Sequence, residues 1–415
     1  MAIFRNSIWT LSSYILPTII SLFSIGLLAR LLGTAEFGIY MLIMAIIGYS
    51  GIFEAGLNRS VIREVSIYSD DKGEIVKIIS CSTYCAFVLG LIGATLLFIL
   101  SSLIVRVLGI ALSELEVVTD SIRLLSLVIP ILLITIIWSA ILEGKKKFKT
   151  LAIKNSISNS MIAILPVLII YVTDGGIFEG AIGILLARVI GLLVTIYFVK
   201  DELAGLKVKF HRNVFERFIN YGSWLAISNI ISPIMVYFDK FILSYLKGAG
   251  VVAYYTAPAE LIQKMSIIPS SISRAIFPSL SEAKTKELEK NIKNQAIKII
   301  LPIILFVVIG VYLFSEVIIE LWLGVEYVAM SSRILVILSI GFAFNALAYI
   351  DFTYLQAKGK SKTTAYLHMI ELLPYLLLLY CMINWLGVIG AAYAWSIRMV
   401  VDFFILKYIS SRLEF

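Results

Sequence analysis

The residues of this sequence that could do chemistry are ionisable side chains inside long apolar stretches. An ionisable group near the middle of a bilayer is costly, so it usually serves a function. Most of these residues form pairs, adjacent in sequence or one helical turn apart: Asp239 with Lys240, Glu260 with Lys264, His368 with Glu371, and Arg398 with Asp402. Each pair is either an ion bridge that fixes helix packing or a gating site, and a His–carboxylate pair could also relay protons.

Arg188 differs from these pairs because no acid lies within one helical turn of it. Either an acid on another helix pairs with it, with Glu316 and Glu320 as candidates, or it lines an aqueous cavity and binds an anion. A guanidinium group binds phosphate in a bidentate fashion. The candidate residues for binding an anionic headgroup in a central cavity are Arg188, Lys240, Lys264 and Arg398.

Two lysines also have a simpler interpretation that depends only on where they lie. Lys240 stands towards the outer end of its predicted helix and could extend its ammonium group to the aqueous surface. Lys154 stands close to the predicted cytoplasmic interface, where we expect it to be solvated.

These side chains are carried by about twelve apolar blocks between residues 6 and 409. Hydrophobic residues make up 60% of the chain and charged residues 15%. The stretches Asn6–Ala29, Ile78–Val105 and Leu372–Ile397 contain no charge at all. A bilayer core of about 30 Å needs roughly 20 apolar helical residues, so each block can span it. The sequence therefore predicts an all-α integral membrane protein with about twelve transmembrane helices, and it excludes a soluble enzyme.

Basic residues are concentrated in alternate connections between the apolar blocks. The basic connections lie at 59–77, 145–149, 200–217, 274–293 and 358–362. Loops rich in Lys and Arg stay on the cytoplasmic side of a membrane. The alternation therefore predicts an even number of spans, with both the N- and the C-terminus in the cytoplasm.

The second half of the chain resembles the first. The segment LARLLGTAEFGIY at 28–40 resembles LSYLKGAGVVAYY at 243–255. Further on, KKKFKTLA at 145–152 matches KGKSKTTA at 358–365 at five of eight positions. Because each half has an even number of spans, both halves have the same orientation in the membrane. The two halves therefore form a parallel repeat, related by an axis along the membrane normal. That arrangement is found in transporters.

The repeat predicts two lobes of six helices each, related by a pseudo-two-fold axis. Helices 1–6 form the N-terminal lobe, residues 1–200, and helices 7–12 form the C-terminal lobe, residues 218–415. A charged cytoplasmic linker at 201–217 joins the two lobes.

The sequence contains no arrangement of residues that predicts catalysis or metal binding. The longest outer connection, Arg106–Asp120, has no His and no paired catalytic residues. The three cysteines do not have metal-ligand spacing. We therefore expect neither an enzyme nor a bound cofactor or metal.

Several segments of the chain are similar to one family of membrane proteins. ARLLGTAEFGIY at 29–40 and FEAGLNRSVIRE at 53–64 look like the signatures that follow its first two helices. ILEGKKKFK, FDKFILSYLKGAGVVAYY, IFPSLSEA and LWLGVEY also stand where the family has such segments. Over essentially its whole length, the chain resembles the Wzx-type oligosaccharide flippases. These form the polysaccharide-exporter branch of the multidrug/oligosaccharidyl-lipid/polysaccharide (MOP) flippase superfamily.

The resemblance implies a MATE-like fold and a flippase of the bacterial inner membrane. The implied cargo is a polyprenyl (undecaprenyl) pyrophosphate-linked oligosaccharide, such as an O-antigen repeat unit for lipopolysaccharide biosynthesis. It would move from the cytoplasmic to the outer leaflet by alternating access, and coupling to H⁺ or Na⁺ is left open. The polymerase and chain-length proteins of the same pathway are candidate partners, and no nucleic acid is implied.

Departures from neighbouring branches favour the oligosaccharide branch. Flippases of lipid II usually have two more helices and arginines in the first two, whereas Asn6–Ala29 is uncharged. Drug-exporting relatives often carry an acid in helix 1, and this chain does not. The alternatives are a lipid II or teichoic/teichuronic-type precursor flippase and a MATE-type drug or ion antiporter. From another class, the alternative is a membrane-embedded polysaccharide polymerase or ligase.

Overall fold

The protein is described here by a computed structural model covering residues 2–54, 56–204 and 206–414. Side chains are described for those residues except 2–14, 220–233, 361, 365, 413 and 414. Within the described ranges the chain is helical almost throughout and contains no β-strand. The prediction of an all-α protein is confirmed.

Fourteen α-helices make up the described part of the chain. In order they are α1 (Ala2–Tyr49), α2 (Leu57–Ile67), α3 (Lys72–Val107), α4 (Leu115–Ser126), α5 (Val128–Gly144), α6 (Phe148–Thr173), α7 (Ile177–Val199), α8 (Arg212–Lys247), α9 (Val252–Met265), α10 (Ile267–Glu282), α11 (Lys286–Trp322), α12 (Val325–Ala357), α13 (Ser361–Leu386) and α14 (Val388–Glu414).

Many of these helices are suited to lipid. Among the described residues, nine segments are long and apolar enough to cross a membrane. One of the nine, Ile15–Glu54, contains a break in the helix at Gly33. The count of about twelve apolar blocks treats the residues on the two sides of this break as separate spans. The predicted seventh span includes residues 220–233, whose side chains lie outside the description. A multi-pass membrane protein is confirmed, and the count of twelve spans stays a prediction.

Two matched positions of the predicted repeat have the same unusual backbone conformation. Gly33, at the break in α1, has φ 69° and ψ 178°, and its counterpart Gly248 has φ 87° and ψ 157°. Lys146 has φ 57°, and its counterpart Gly359 has φ 73°. Glycine favours positive φ because it has no Cβ, so the turns at Gly33, Gly248 and Gly359 suit their sequence, whereas Lys146 adopts positive φ without that advantage. The local turns therefore repeat, while the pseudo-two-fold axis stays a prediction.

The helices form two compact units, Met1–Phe241 and Ile242–Phe415, and the division falls inside α8. The predicted linker at 201–217 packs against the first unit. Ser80 Oγ on α3 accepts a hydrogen bond of 2.8 Å from the backbone N–H of Lys209. Arg217 Nε lies 2.8 Å from Glu64 Oε2. The lobe boundaries assigned from the repeat stay predictions.

A second contact fixes the start of the linker to the first unit. The Glu202 carboxylate forms ion pairs with Lys145 and Lys147, the latter at 2.7 Å. Burial tends to raise the pKa of the Glu202 carboxyl, but hydrogen bonds from the two lysines outweigh it and hold that pKa below its ordinary value. The basic loop at 145–149 is thus partly neutralised.

In the first unit, α6 and α7 pack most tightly at Gly183. A Cβ atom at Gly183 would lie 2.5 Å from Pro166 Cα, which belongs to the backbone of α6. Small residues allow such close helix contacts in membrane proteins, where van der Waals packing drives association. The contact sets the spacing of the two helices that carry Lys154 and Arg188.

In the second unit, α12 is central and packs against α9, α10, α11 and α14. Ion pairs fasten one end of it to α11. Lys293 Nζ lies 2.6 Å from Asp351 Oδ1, and Lys358 Nζ lies 2.6 Å from Glu289 Oε1. The Tyr354 hydroxyl donates a hydrogen bond of 2.9 Å to Glu289 Oε2. These charges neutralise one another on the predicted cytoplasmic side.

We predict that Gly183→Ala destabilises the protein. The added methyl group meets backbone atoms that cannot rotate away, so α6 and α7 must separate, at a cost of about 1–3 kcal/mol. Gly191→Ala on the same helix is the control, because its Cβ would lie 3.5 Å from Ser158 Cβ, an ordinary contact. Thermal unfolding of the purified variants in detergent checks this. Equal midpoints for the two variants would contradict the close contact.

Candidate functional site

A pair of basic side chains lies inside the first unit, one on α6 and one on α7. Lys154 is 4% exposed, and its Nζ donates hydrogen bonds to Ser139 Oγ at 2.7 Å and to Asn155 Oδ1 at 3.2 Å. Arg188 is near enough for its charge to act on Lys154. Two like charges are thus held near each other in the interior of a helical unit.

Neither cation of this pair is neutralised within the described part of the chain. The Arg188 Nε atom is buried and finds no hydrogen-bond acceptor there. No described carboxylate forms an ion pair with Lys154 or with Arg188. The candidate partners of Arg188 predicted from the sequence are Glu316 and Glu320. Both lie on α11 of the second unit and are exposed. A buried cation without a counter-ion is costly, so this pair is suited to an anionic ligand.

The expectation that Lys154 is solvated is wrong. The side chain is buried because it points to Ser139 on α5 instead of the predicted cytoplasmic surface. A sign of this was present in the sequence: Ser158 follows one turn later on the same helix face and is also buried. Periodicity shows that such a polar stripe exists, but it does not show which neighbouring helix the stripe meets.

In the second unit, two of the predicted pairs come together in one cluster on α13 and α14. His368 Nδ1 lies 3.7 Å from Glu371 Oε2. The centre of the Arg398 guanidinium lies 4.9 Å from the centroid of the Tyr375 ring. The carboxyl groups of Glu371 and Asp402 are close enough to share a hydrogen bond when one of them is protonated. Sequence spacing predicted each pair but not their meeting.

The two acids of this cluster are well placed to hold a proton. Glu371 is 8% exposed and Asp402 is 7% exposed. Neither carboxylate oxygen of Glu371 accepts a hydrogen bond from any described group, and the same is true of Asp402 Oδ1. Two carboxyl groups this close favour a shared proton, since two adjacent negative charges repel. The neighbouring imidazole offers a route for that proton.

The remaining candidate residues lie on α8 and α9. Asp239 and Lys240 are each 5% exposed, and the backbone N–H of Lys240 donates a hydrogen bond of 2.7 Å to Asp239 Oδ1. Lys240 Nζ lies 5.6 Å from the centroid of the Tyr237 ring. Burial therefore argues against Lys240 reaching the aqueous surface. Glu260 and Lys264 are half-buried on α9, and their pairing stays a prediction.

The described part of the chain contains no evident metal-binding site. No group of three His, Cys, Asp or Glu side chains there could hold a metal ion. The three cysteines are free thiols. The charged clusters on α6–α7 and on α13–α14 are therefore the sites that we consider further.

The chain is similar to two solved transporter structures over nearly its whole length. One is the lipid II flippase MurJ in an inward closed conformation, with a TM-score of 0.81 and 19% identity over 97% of this chain and 87% of that one. The other is an inward-facing multidrug resistance MATE family transporter, with a TM-score of 0.77 and 18% identity over 97% and 94%. The fold is therefore that of the MOP superfamily transporters, as predicted.

Sequence comparison gives the family. A model of the family described as "Polysaccharide biosynthesis protein" matches residues 3–284. The "Putative O-antigen transporter" of Shigella flexneri is 43% identical over 414 residues, which cover 100% of this chain and 99% of that protein. The chain belongs to this polysaccharide biosynthesis family, in agreement with the resemblance that its motifs indicated.

Proposed function

We propose that this protein is a flippase that moves polyprenyl (undecaprenyl) pyrophosphate-linked oligosaccharide repeat units across the bacterial inner membrane by alternating access. The direction is from the cytoplasmic to the outer leaflet, with both termini in the cytoplasm. The transport role rests on the family and on the name of its Shigella flexneri relative. The choice of an anionic cargo rests on one observation, the buried Lys154 and the half-buried Arg188, whose Nε atom is buried, without a described counter-ion.

The chemistry of the two cations matches a pyrophosphate group. A guanidinium group binds two phosphate oxygens in a fixed plane, and an ammonium group binds as a point charge with three donors. Lys154 holds its ammonium group towards α5 through Ser139, and Arg188 has an unused buried N–H. A pyrophosphate would supply the missing acceptors and the missing negative charge, so it would bind where a neutral or cationic group would not.

Two of the competing functions, drug export and polymer synthesis, are supported less well than flipping of an anionic lipid. An exporter of cationic drugs would require acids where this unit holds two cations. A lipid II or teichoic/teichuronic-type precursor carries the same pyrophosphate or phosphate chemistry, so the cation pair does not separate these cargos from an O-antigen unit. A membrane-embedded polymerase or ligase would need catalytic side chains in an outer connection such as Arg106–Asp120. The polymerase and chain-length proteins remain partners in our proposal.

We also propose that transport is coupled to protons through the cluster on α13 and α14. Glu371 and Asp402 lie near each other, and His368 Nδ1 lies 3.7 Å from Glu371 Oε2, so the cluster offers groups that could pass on a proton. The guanidinium of Arg398 lies in the same cluster.

The first test compares export by site variants in bacterial cells that lack their own flippase. Arg188→Ala and Lys154→Ala are each expected to lower delivery of the lipid-linked repeat unit to the outer leaflet by about 10- to 100-fold. This follows because a charge-assisted hydrogen bond contributes about 1.5–3 kcal/mol and the remaining cation stays buried. Arg188→Lys should restore part of the activity, since it keeps the charge but loses the planar geometry.

The control for the first test is Lys149→Ala, an exposed lysine on the same helix as Lys154. It should export normally, and all variants should insert at wild-type levels. Purified protein in liposomes then separates transport from synthesis: lipid-linked sugar should change leaflet without growing into polymer. Full complementation by Arg188→Ala would rule out its role.

The second test measures the response of liposome transport to an imposed proton gradient. The wild-type transport rate should change severalfold. Glu371→Gln and Asp402→Asn should each make the transport rate insensitive to the gradient. Each variant keeps only one of the two carboxyl groups, so a proton can no longer be shared between them. Glu287→Gln, an exposed acid of the same unit, is the control. A wild-type protein driven by Na⁺ alone, or variants with an unchanged proton response, would contradict this assignment.

A further inference from the structure

A cavity of about 510 Å³ opens in the second unit. It lies where α11 ends, α12 begins and α13 turns into α14. Its polar lining consists of Ser315, Glu316, Ser332, Arg333 and Tyr393. Small-molecule sites commonly occupy a few hundred to about 1,000 Å³, so this volume admits a lipid headgroup. By the basic-loop pattern, these helix ends are on the outer side of the membrane.

The cavity holds two opposite charges that do not neutralise each other. Glu316 and Arg333 both line it, and within the described structure neither forms an ion pair. Both residues are exposed, so their charges are available to a ligand. A ligand that satisfies both must itself carry one negative and one positive group.

The surroundings of the cavity are apolar and exposed. Val336, Ile337 and Leu386 form part of its wall. On the adjoining surface, Leu313 is 63% exposed and Trp385 is 77% exposed. Exposed apolar patches of this kind contact membrane or a partner, and Trp is enriched where hydrocarbon meets headgroups. A ligand here has its charged part in the cavity and its apolar part against these side chains.

We propose that this cavity binds a zwitterionic phospholipid of the outer leaflet whose headgroup is a phosphoethanolamine. The phosphate accepts hydrogen bonds from the Arg333 guanidinium, and the ammonium group donates to the Glu316 carboxylate. A purely anionic headgroup would be repelled by Glu316 and a purely cationic one by Arg333. The acyl chains cover Leu386 and the neighbouring apolar surface.

Native mass spectrometry of the full-length protein in detergent tests this proposal. The probes are phosphatidylethanolamine, phosphatidylglycerol and phosphatidylcholine with identical acyl chains. Wild-type protein should bind phosphatidylethanolamine most tightly. Glu316→Gln should weaken that binding by roughly tenfold and remove the preference over phosphatidylglycerol, as expected for loss of one charge-assisted hydrogen bond. Arg333→Gln should weaken binding of all three lipids, and Arg333→Lys should retain it.

Exposed residues outside the cavity provide matched controls for the binding experiment. Glu326→Gln on α12 and Arg106→Gln in the first unit should bind like wild type. If Arg333→Gln fails to elute as a single folded species, Glu316→Gln decides the test, because it replaces an exposed side chain by one of the same shape.

Two results would overturn the proposal. One is phosphatidylethanolamine binding by Glu316→Gln with wild-type affinity and wild-type preference. The other is displacement of the lipid by a soluble neutral oligosaccharide such as maltotetraose, which would assign the cavity to sugar. Neither result bears on the cations of the first unit, so the proposed transport function is tested separately.

Discussion

The cost of placing charge in hydrocarbon is the constraint on which this structure depends. A bilayer supplies neither water nor counter-ions, so buried charges must find partners within the protein. Most of the charged side chains described above do so: Lys293 with Asp351, Lys358 with Glu289, and Glu202 with two lysines. These pairs lie near helix ends and hold the helices in register. Lys154 and Arg188 are exceptions, because no described carboxylate forms an ion pair with either of them.

A buried cation without a counter-ion lowers the free energy of unfolding. Proteins commonly tolerate this loss of stability at sites where a bound ligand offsets it. The first unit keeps Lys154 and Arg188 on adjacent helices without a described counter-ion, and it holds those helices close together at Gly183. In the second unit the imbalance takes another form, because the acids Glu371 and Asp402 lie near each other beside a histidine. Our proposal assigns the two cations to an anionic lipid and the two acids to a proton.

The sequence predicted the features that depend on local patterns. Apolar length predicted membrane helices. Spacing along a helix predicted the pairs His368–Glu371 and Arg398–Asp402. Contacts between helices far apart in sequence were not predictable in this way. The approach of Lys154 to Arg188 and the meeting of α13 with α14 at one acidic pair depend on packing angles that periodicity does not determine.

Thermal unfolding of the ligand-free protein tests most directly whether Arg188 serves to bind an anion. The Arg188 guanidinium has no ion-pair partner among the described residues. Replacing it by an apolar side chain in Arg188→Met should stabilise the protein by about 1–4 kcal/mol and so raise the unfolding midpoint. A short-chain prenyl pyrophosphate should stabilise wild type but not this variant, and the matching prenyl alcohol should stabilise neither. A lower midpoint for Arg188→Met, with an unchanged response to the pyrophosphate, would contradict the account.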